Sequence, residues 1–315
     1  MKVVEHLARA TRPLLSFEII PPLRGGNARE LLDLIEAVLP FEPPYIDVTS
    51  HKAEAEYVEE PDGTFRRKVK RKRPGTLGIC ALIQHKYKVD AVPHLLCHGF
   101  TREETEDYLI ELMYLGIHNV LAIRGDRNGH PKPKAPHRTR NDTAADLVRQ
   151  VRAMNAGRYL EEGLEDAEPS DFCVGVGGYP EKHYEAPNLA ADVRWLKAKV
   201  DAGADYVVTQ MFFDNRHWFH YVEECRAAGI TIPIIPGIKV LTSKSQLRSI
   251  PRNFHVEIPS ALADEVEAAD DAHTTEIGVE WAAKQVRELL DRGAPAVHFY
   301  IMQDATPIQS LIRQL

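Results

Sequence analysis

The chain has 315 residues, 44% hydrophobic and 27% charged, which excludes a disordered polymer and supplies enough apolar side chains for a large core. A formal net charge of −7 disfavours attraction to nucleic-acid phosphates or to anionic lipid, so neither is an expected partner. The four cysteines (Cys80, Cys97, Cys173, Cys225) include no close pair for zinc or redox exchange; the start MKVVEHLARATRPLL lacks a leader pattern, and no apolar run is long enough to span a bilayer. A reduced cytoplasmic protein with no metal is the expectation.

The first predicted strand, Leu14 to Ile20, carries a carboxylate, Glu18, among Leu, Phe and Ile, and prolines stop it at Pro21 and Pro22. An ionised group buried without a partner is costly, so either this strand is open on one side or Glu18 has a function. Asn27 with Glu30 then opens a helix whose inner face is Leu31, Leu34, Ile35 and Val38. The second strand, Tyr45 to Ser50, ends in Thr49 and Ser50. From Ala53 to Thr76 an acidic block, a Pro-Asp-Gly turn and a basic block predict a charged, self-compensating hairpin or excursion on the surface.

The third strand, Val92 to His98, contains His94 and His98 at even spacing, which predicts that both face one side. Thr101 and Glu104 form a capping box before the stripe Tyr108, Leu109, Leu112 and Met113, and Gly116 ends that helix. The fourth strand, Asn119 to Gly125, runs into Arg124, Gly125 and Asp126; Ala156 to Ser170 is a polar connection. The fifth, Cys173 to Tyr179, continues into GYPEKH with His183. Asn188 opens a helix with Leu189, Val193, Leu196 and Val200, closed by Gly203. Three more strands follow: Tyr206 to Phe212 with Gln210, Ile234 to Val240, and, after Gly293, Ala296 to Met302 with Tyr300.

Eight strands alternating with helices, with no break in composition, predict residues 1–315 as a single (β/α)8 TIM barrel with a charged surface insertion. No GxGxxG follows the first strand, which disfavours a Rossmann dinucleotide domain. The C-terminal strand ends of such a barrel build its active site, which collects Glu18, Thr49, Ser50, His94, His98, Arg124, Gly125, Asp126, Tyr179, His183, Gln210 and Tyr300 at one rim. Each has a plain alternative. The alternative for Glu18 is half of a cross-barrel ion pair, and for Arg124 with Asp126 a structural one; His94 and His98 are satisfied core histidines or, with a third ligand, the metal site of a lyase.

The motifs SFEIIPP, YIDVTS, PHLLCHGFT, LAIRGD, GYPEKHYEA, KVDAGADYVVTQMFFD, IPIIPGI and HFY, in this order and approximate spacing, resemble the methylenetetrahydrofolate reductase family from about Leu14 to Tyr300. The resemblance implies an FAD-dependent barrel in which NADH or NADPH reduces the flavin, which then reduces 5,10-methylenetetrahydrofolate to 5-methyltetrahydrofolate in ping-pong fashion. It also implies assembly from identical subunits and a place in one-carbon metabolism and methionine biosynthesis. By this resemblance Glu18 is the general acid, with a carboxyl pushed upward by its apolar strand, and Asp126 is the carboxylate beside flavin and pterin. Gln210, Gln246 and Tyr300, with Glu18 and Asp126, fall at substrate positions. Thr49, Ser50, His94, Arg124, Gly125, Asp126, Ala144, Tyr179, His183, Asp192 and Lys199 fall at FAD positions. Trp195 and Ala198 stand where the bacterial pattern has Asn and Arg, and Asp304 where it has a folate-binding arginine. Trp195 and Ala198 keep open a flavin-poor structural or regulatory subunit.

Overall fold

The computed structural model describes every residue except 71, 72, 74 and 126–137. Helix α1 (Val3–Arg9) leads into β1 (Leu14–Ile19), α2 (Ala28–Val38) and β2 (Tyr45–Val48). Two further strands, β3 (Glu54–Glu59) and β4 (Phe65–Lys70), precede α3 (Leu77–Leu82), β5 (Asp90–Leu96) and α4 (Arg102–Tyr114). The alternation continues through β6 (Asn119–Ile123), α5 (Ala144–Asn155), β7 (Cys173–Gly178), α6 (Leu189–Asp201), β8 (Tyr206–Met211) and α7 (Asn215–Ala227). It ends with β9 (Ile234–Ile238), α8 (Gln246–Phe254), α9 (Ser260–Ala268), α10 (Asp271–Asp291), β10 (Ala296–Met302) and α11 (Thr306–Ile312).

Parallel strands in the order β1-β10-β9-β8-β7-β6-β5-β2 close on themselves where β2 returns to β1, giving the (β/α)8 barrel that the alternation predicts. The charged segment is an antiparallel ribbon, β3 with β4, outside the barrel; Glu54 lies opposite Lys70 and Glu56 opposite Lys68, so its acidic and basic blocks neutralise each other strand to strand.

The local signals act as their chemistry requires. Thr101 and Glu104 cap α4 reciprocally, the Glu104 amide donating to Thr101 Oγ1 at 3.1 Å and the Thr101 amide to the Glu104 carboxylate at 2.9 Å. Asn27 and Asn188 cap α2 and α6. Gly116, Gly203 and Gly293 take φ of +62°, +114° and +86° after α4, α6 and α10, where a side chain would be strained. Most barrel strands stop one or two residues short of their predicted ends: Ser50, His98, Gly125, Tyr179 and Val240 already belong to the loops. His98 therefore lies beyond β5, and the expectation that it shares a strand face with His94 is corrected.

The core has two concentric parts. Phe17, Ile19, Ile46, Val48, Val297 and Phe299 point outward and pack beneath the helices. Inside, at the N-terminal end of the strands, Tyr45, Val92, Leu121, Tyr206 and Ile235 form an apolar floor closed from below by Val3 of α1. Two glycines make room for aromatic rings there: a Cβ at Gly175 would lie 2.3 Å from Tyr206 Cζ, and one at Gly237 would lie 2.6 Å from Tyr300 Cε2. All four cysteines are buried and none is in a disulfide. Among the described residues no helix is long and apolar enough to cross a membrane.

Candidate active site

Above the floor the barrel interior turns polar. Strand alternation points Ser16 and Glu18 inward from β1, Asp47 from β2, His94 from β5 and His298 from β10. The parallel register sets Glu18 beside Asp47 on one side and Tyr300 on the other, and Ser16 beside His298. The result is a square of two carboxylates and two imidazoles. His94 Nε2 lies 3.4 Å from Glu18 Oε2 and 3.7 Å from Asp47 Oδ1. His298 reaches the same two anions with its other edge pair, Nε2 at 3.8 Å from Glu18 Oε2 and Nδ1 at 3.9 Å from Asp47 Oδ2, while Ser16 Oγ hydrogen-bonds His298 Nδ1 at 2.9 Å. Side-chain exposure is 12% at Glu18, 5% at His94 and zero at Asp47 and His298.

This environment reverses one expectation. Burial pushes the Glu18 carboxyl up, as an apolar strand should, but the charges of His94 and His298 outweigh it and hold the carboxyl below its ordinary range. Correspondingly, burial pulls the His94 imidazole down while Glu18 and Asp47 more than reverse it, so His94 is held above its ordinary range. Glu18 is thus half of an ion pair as well as a candidate acid, its partners being imidazoles rather than a lysine or arginine. Near it, Lys239 donates to the Tyr300 carbonyl at 3.3 Å, and the Tyr300 hydroxyl donates to the Thr209 carbonyl at 2.6 Å.

At the same end of the barrel, between β6, β7, α5 and α6, a cavity of about 360 Å³ is lined by Arg124, Ala144, Tyr179, His183, Asp192 and Lys199, joined by Trp195 and Ala198. These are most of the predicted FAD positions. Arg124 pairs with Glu185 at 2.6 Å. Asp192 accepts the His183 amide at 3.1 Å, and the His183 ring stands edge-on to Tyr179 with centroids 4.7 Å apart. Burial pulls the Lys199 ammonium down to about 8 against the pull of Asp192, and lowers His183 to about 4 with Arg124 acting in the same direction. Gly125 takes φ of +79° with Leu96 Cδ2 3.4 Å from where its Cβ would be, so the backbone there is bare. Two cations, small apolar walls and an aromatic rim fit a dinucleotide bearing a pyrophosphate and an adenine, and Trp195, 46% exposed, lines this cavity rather than blocking it.

The other predicted positions divide. Ser50 and His94 line an adjoining cavity with Thr76, Thr105 and Tyr108. Thr49 is a loop residue whose amide donates to the Ile19 carbonyl at 3.1 Å. Gln210 is half-buried on β8, its carbonyl accepting the Met211 amide at 3.0 Å. Gln246, the first residue of α8, accepts from the Thr242 amide at 2.8 Å. Asp126 lies outside the described residues. Among those described, no three His, Cys, Asp or Glu side chains are grouped to hold a metal ion. Sequence reasoning missed Asp47, His298, Glu185 and Lys239. Period-two spacing from Thr49 and from Tyr300 was the available signal for the first two.

Comparison with known proteins agrees with the geometry. The family model described as methylenetetrahydrofolate reductase matches residues 2–315. A "Probable methylenetetrahydrofolate reductase (NADPH)" of Caenorhabditis elegans is 29% identical over 99% of this chain and 43% of its own length. "5,10-methylenetetrahydrofolate reductase" of Salmonella typhimurium is 30% identical over 92% of this chain and 86% of its own. "Methylenetetrahydrofolate reductase 1" of Schizosaccharomyces pombe is 31% identical over 95% of this chain and 45% of its own, so the chain spans less than half of the two eukaryotic relatives. Among solved structures, an uncharacterized Clostridium thermocellum protein that binds two copies of 5-methyl-5,6,7,8-tetrahydrofolic acid superposes with a TM-score of 0.60 at 11% identity, over 99% of this chain and 97% of that one. At that identity the likeness concerns the barrel alone. With a family model covering nearly every residue and the family's motifs gathered at one barrel mouth, the chain belongs to the methylenetetrahydrofolate reductase family.

Proposed function

We propose that this chain reduces 5,10-methylenetetrahydrofolate to 5-methyltetrahydrofolate, with NADH or NADPH as electron donor and FAD as the bound cofactor. The observation that carries this is the juxtaposition, at one end of the barrel, of a buried square of two carboxylates and two imidazoles and a cavity with the donor set for a dinucleotide. The solved neighbour that holds methyltetrahydrofolate in the same fold supports the substrate class. FAD, when bound, supplies two-electron chemistry, taking hydride from the nicotinamide and giving it to the folate in separate half-reactions.

The chain's own residues do the rest. Arg124 and Lys199 would hold the pyrophosphate and Tyr179, His183 and Asp192 would orient the sugar and linker; Gly125, with φ of +79° and no side chain, would let the cofactor approach. Ala144 completes the wall, and Thr49, Ser50 and His94 are assigned to the cofactor from the β2 and β5 side of the mouth. Glu18 delivers a proton to the folate nitrogen that must leave carbon for the imidazolidine ring to open, and its negative charge then stabilises the iminium cation so formed. Asp126 is assigned the same electrostatic role, and Gln210, Gln246 and Tyr300 the positioning of folate and nicotinamide in turn. A cytoplasmic assembly of identical subunits, serving methionine biosynthesis, accompanies this function.

Protein reconstituted with FAD should be yellow. NADH or NADPH should bleach its flavin absorbance, and methylenetetrahydrofolate should restore it. Flavin-loaded protein that neither donor bleaches overturns the proposal.

A further inference from the structure

The charge count inside the barrel raises a question that Glu18 alone does not answer. Two carboxylates, Glu18 and Asp47, are almost wholly removed from water within reach of the same two imidazoles. Two uncompensated negative charges in such a place are prohibitively costly, so the square holds at least one proton beyond those of neutral histidines and bare carboxylates. Neither Asp47 oxygen accepts a hydrogen bond from any described residue, although the side chain is fully buried. A buried carboxylate without hydrogen bonds is stabilised mainly by positive charge, and the rings placed to supply it are those of His94, 3.7 Å away, and His298, 3.9 Å away.

We propose that the proton delivered by Glu18 rests on His94 between turnovers, and that Asp47 is the positioning residue that keeps it there. This deepens the reductase reading and rests on it for the use of the proton, though not for its location.

His94 suits the role by placement. Its Nε2 lies between Glu18 and Asp47, at nearly equal distance from each, so a proton on that nitrogen serves both anions. His298 also reaches both, but its Nδ1 is engaged by Ser16 and its ring is fully enclosed, whereas His94 also lines the cavity beneath α4. The other groups facing this ring sharpen the assignment. On the α4 side the same cavity carries Glu104, Asp107 and Glu111, which favour a cation. His51, half-buried after β2, opposes it, and burial with Arg73 and His94 holds His51 itself below its ordinary range. Burial and the Asp47 carboxylate together push the Tyr45, Tyr206 and Cys80 groups up, so these neighbours stay uncharged.

The transfer balances. The His94 Nε2–H bond breaks as Glu18 Oε2–H forms; that O–H bond then breaks as the leaving folate nitrogen takes the proton, and the C–N electron pair goes to that nitrogen. A hydride, which FAD would supply when bound and reduced by the nicotinamide donor, would convert the iminium carbon to methyl. Glu18 is left as carboxylate and His94 neutral, and solvent restores its proton once the mouth is open.

The test uses FAD-loaded protein with nitrogen-labelled histidine, His94 being assigned with His94→Gln. In wild type the His94 imidazolium signal should persist above the ordinary histidine range. In Asp47→Asn its midpoint should fall, and the folate half-reaction at neutral pH should slow by about 10- to 100-fold, the low end of general-acid effects, with its alkaline fall-off moved to lower pH. The nicotinamide half-reaction, an internal reference that consumes no proton from the square, should change far less. Asp47→Ser repeats the measurement should the amide variant fail to fold. A His94 that is neutral at pH 7 in wild type, or titrates at the same pH in wild type and in both Asp47 variants, overturns the proposal. Absence of any flavin reduction would instead overturn the reductase reading, while the His94 titration would still decide where the proton sits.

Discussion

The two ends of the barrel are made by the same strands and obey opposite rules. At the N-terminal end, Tyr45, Val92, Leu121, Tyr206 and Ile235 pack on Val3 with no charge among them. Two residues further along the strands, the inward positions become Asp47, His94 and His298, with Glu18 beside Asp47 and Tyr300 two residues beyond His298. The floor minimises exposed apolar area and the mouth concentrates charge in a dry place. Stability and chemistry are therefore separable by position along a strand, about two residues, or some 6–7 Å, apart.

That separation can be broken most sharply at Glu18. Glu18→Gln should slow the folate half-reaction by about 100- to 10,000-fold, the range of a lost general acid, while stopped-flow reduction by the nicotinamide stays near wild type and the fold persists. Equal damage to both half-reactions would show that the mouth is structural. Next in size is Ile235→Ala in the fully buried floor, which should cost about 2–5 kcal/mol in a denaturant melt and leave the ratio of the two half-reaction rates unchanged.

Lys199→Met should weaken FAD binding by about 1.5–3 kcal/mol, the worth of a charge-assisted hydrogen bond, as read by flavin fluorescence titration. Because burial sets this ammonium near 8, wild-type affinity should be greatest below that pH and decline as pH rises through it; the variant should show no such decline. The smallest effect belongs to Tyr206→Phe. Its buried hydroxyl makes no hydrogen bond to the described residues, so its removal should change stability by no more than about 1 kcal/mol, in the stabilising direction or near zero.

The barrel was legible because its strands are short apolar runs between capped helices, and Thr101, Asn188 and Gly203 mark boundaries by their own chemistry. Strand ends were less legible. Ser50, Gly125 and Tyr179 are compatible with a strand, and only the departure of the chain toward the rim ends the pairing. α1 carried no cap signal of the usual kind, and its task depends on a floor assembled from strands far along the chain. Within the site, Arg124, Ala144, Tyr179, His183, Asp192 and Lys199, far apart in the sequence, line one cavity. The Glu18 carboxyl moved opposite to expectation because its burial is outweighed by two histidines from β5 and β10, partners that local sequence does not reveal. Asp47 and His298 went unnoticed for a related reason: each looks like one polar residue in an apolar strand until register brings them face to face.

The plug formed by α1 makes the cylinder a blind vessel. With Val3 packed against the floor at the base, the polar square faces the C-terminal end of the barrel. On the proposed function, cofactor and folate would both enter from that end, so the first to arrive would form part of the surface that the second meets.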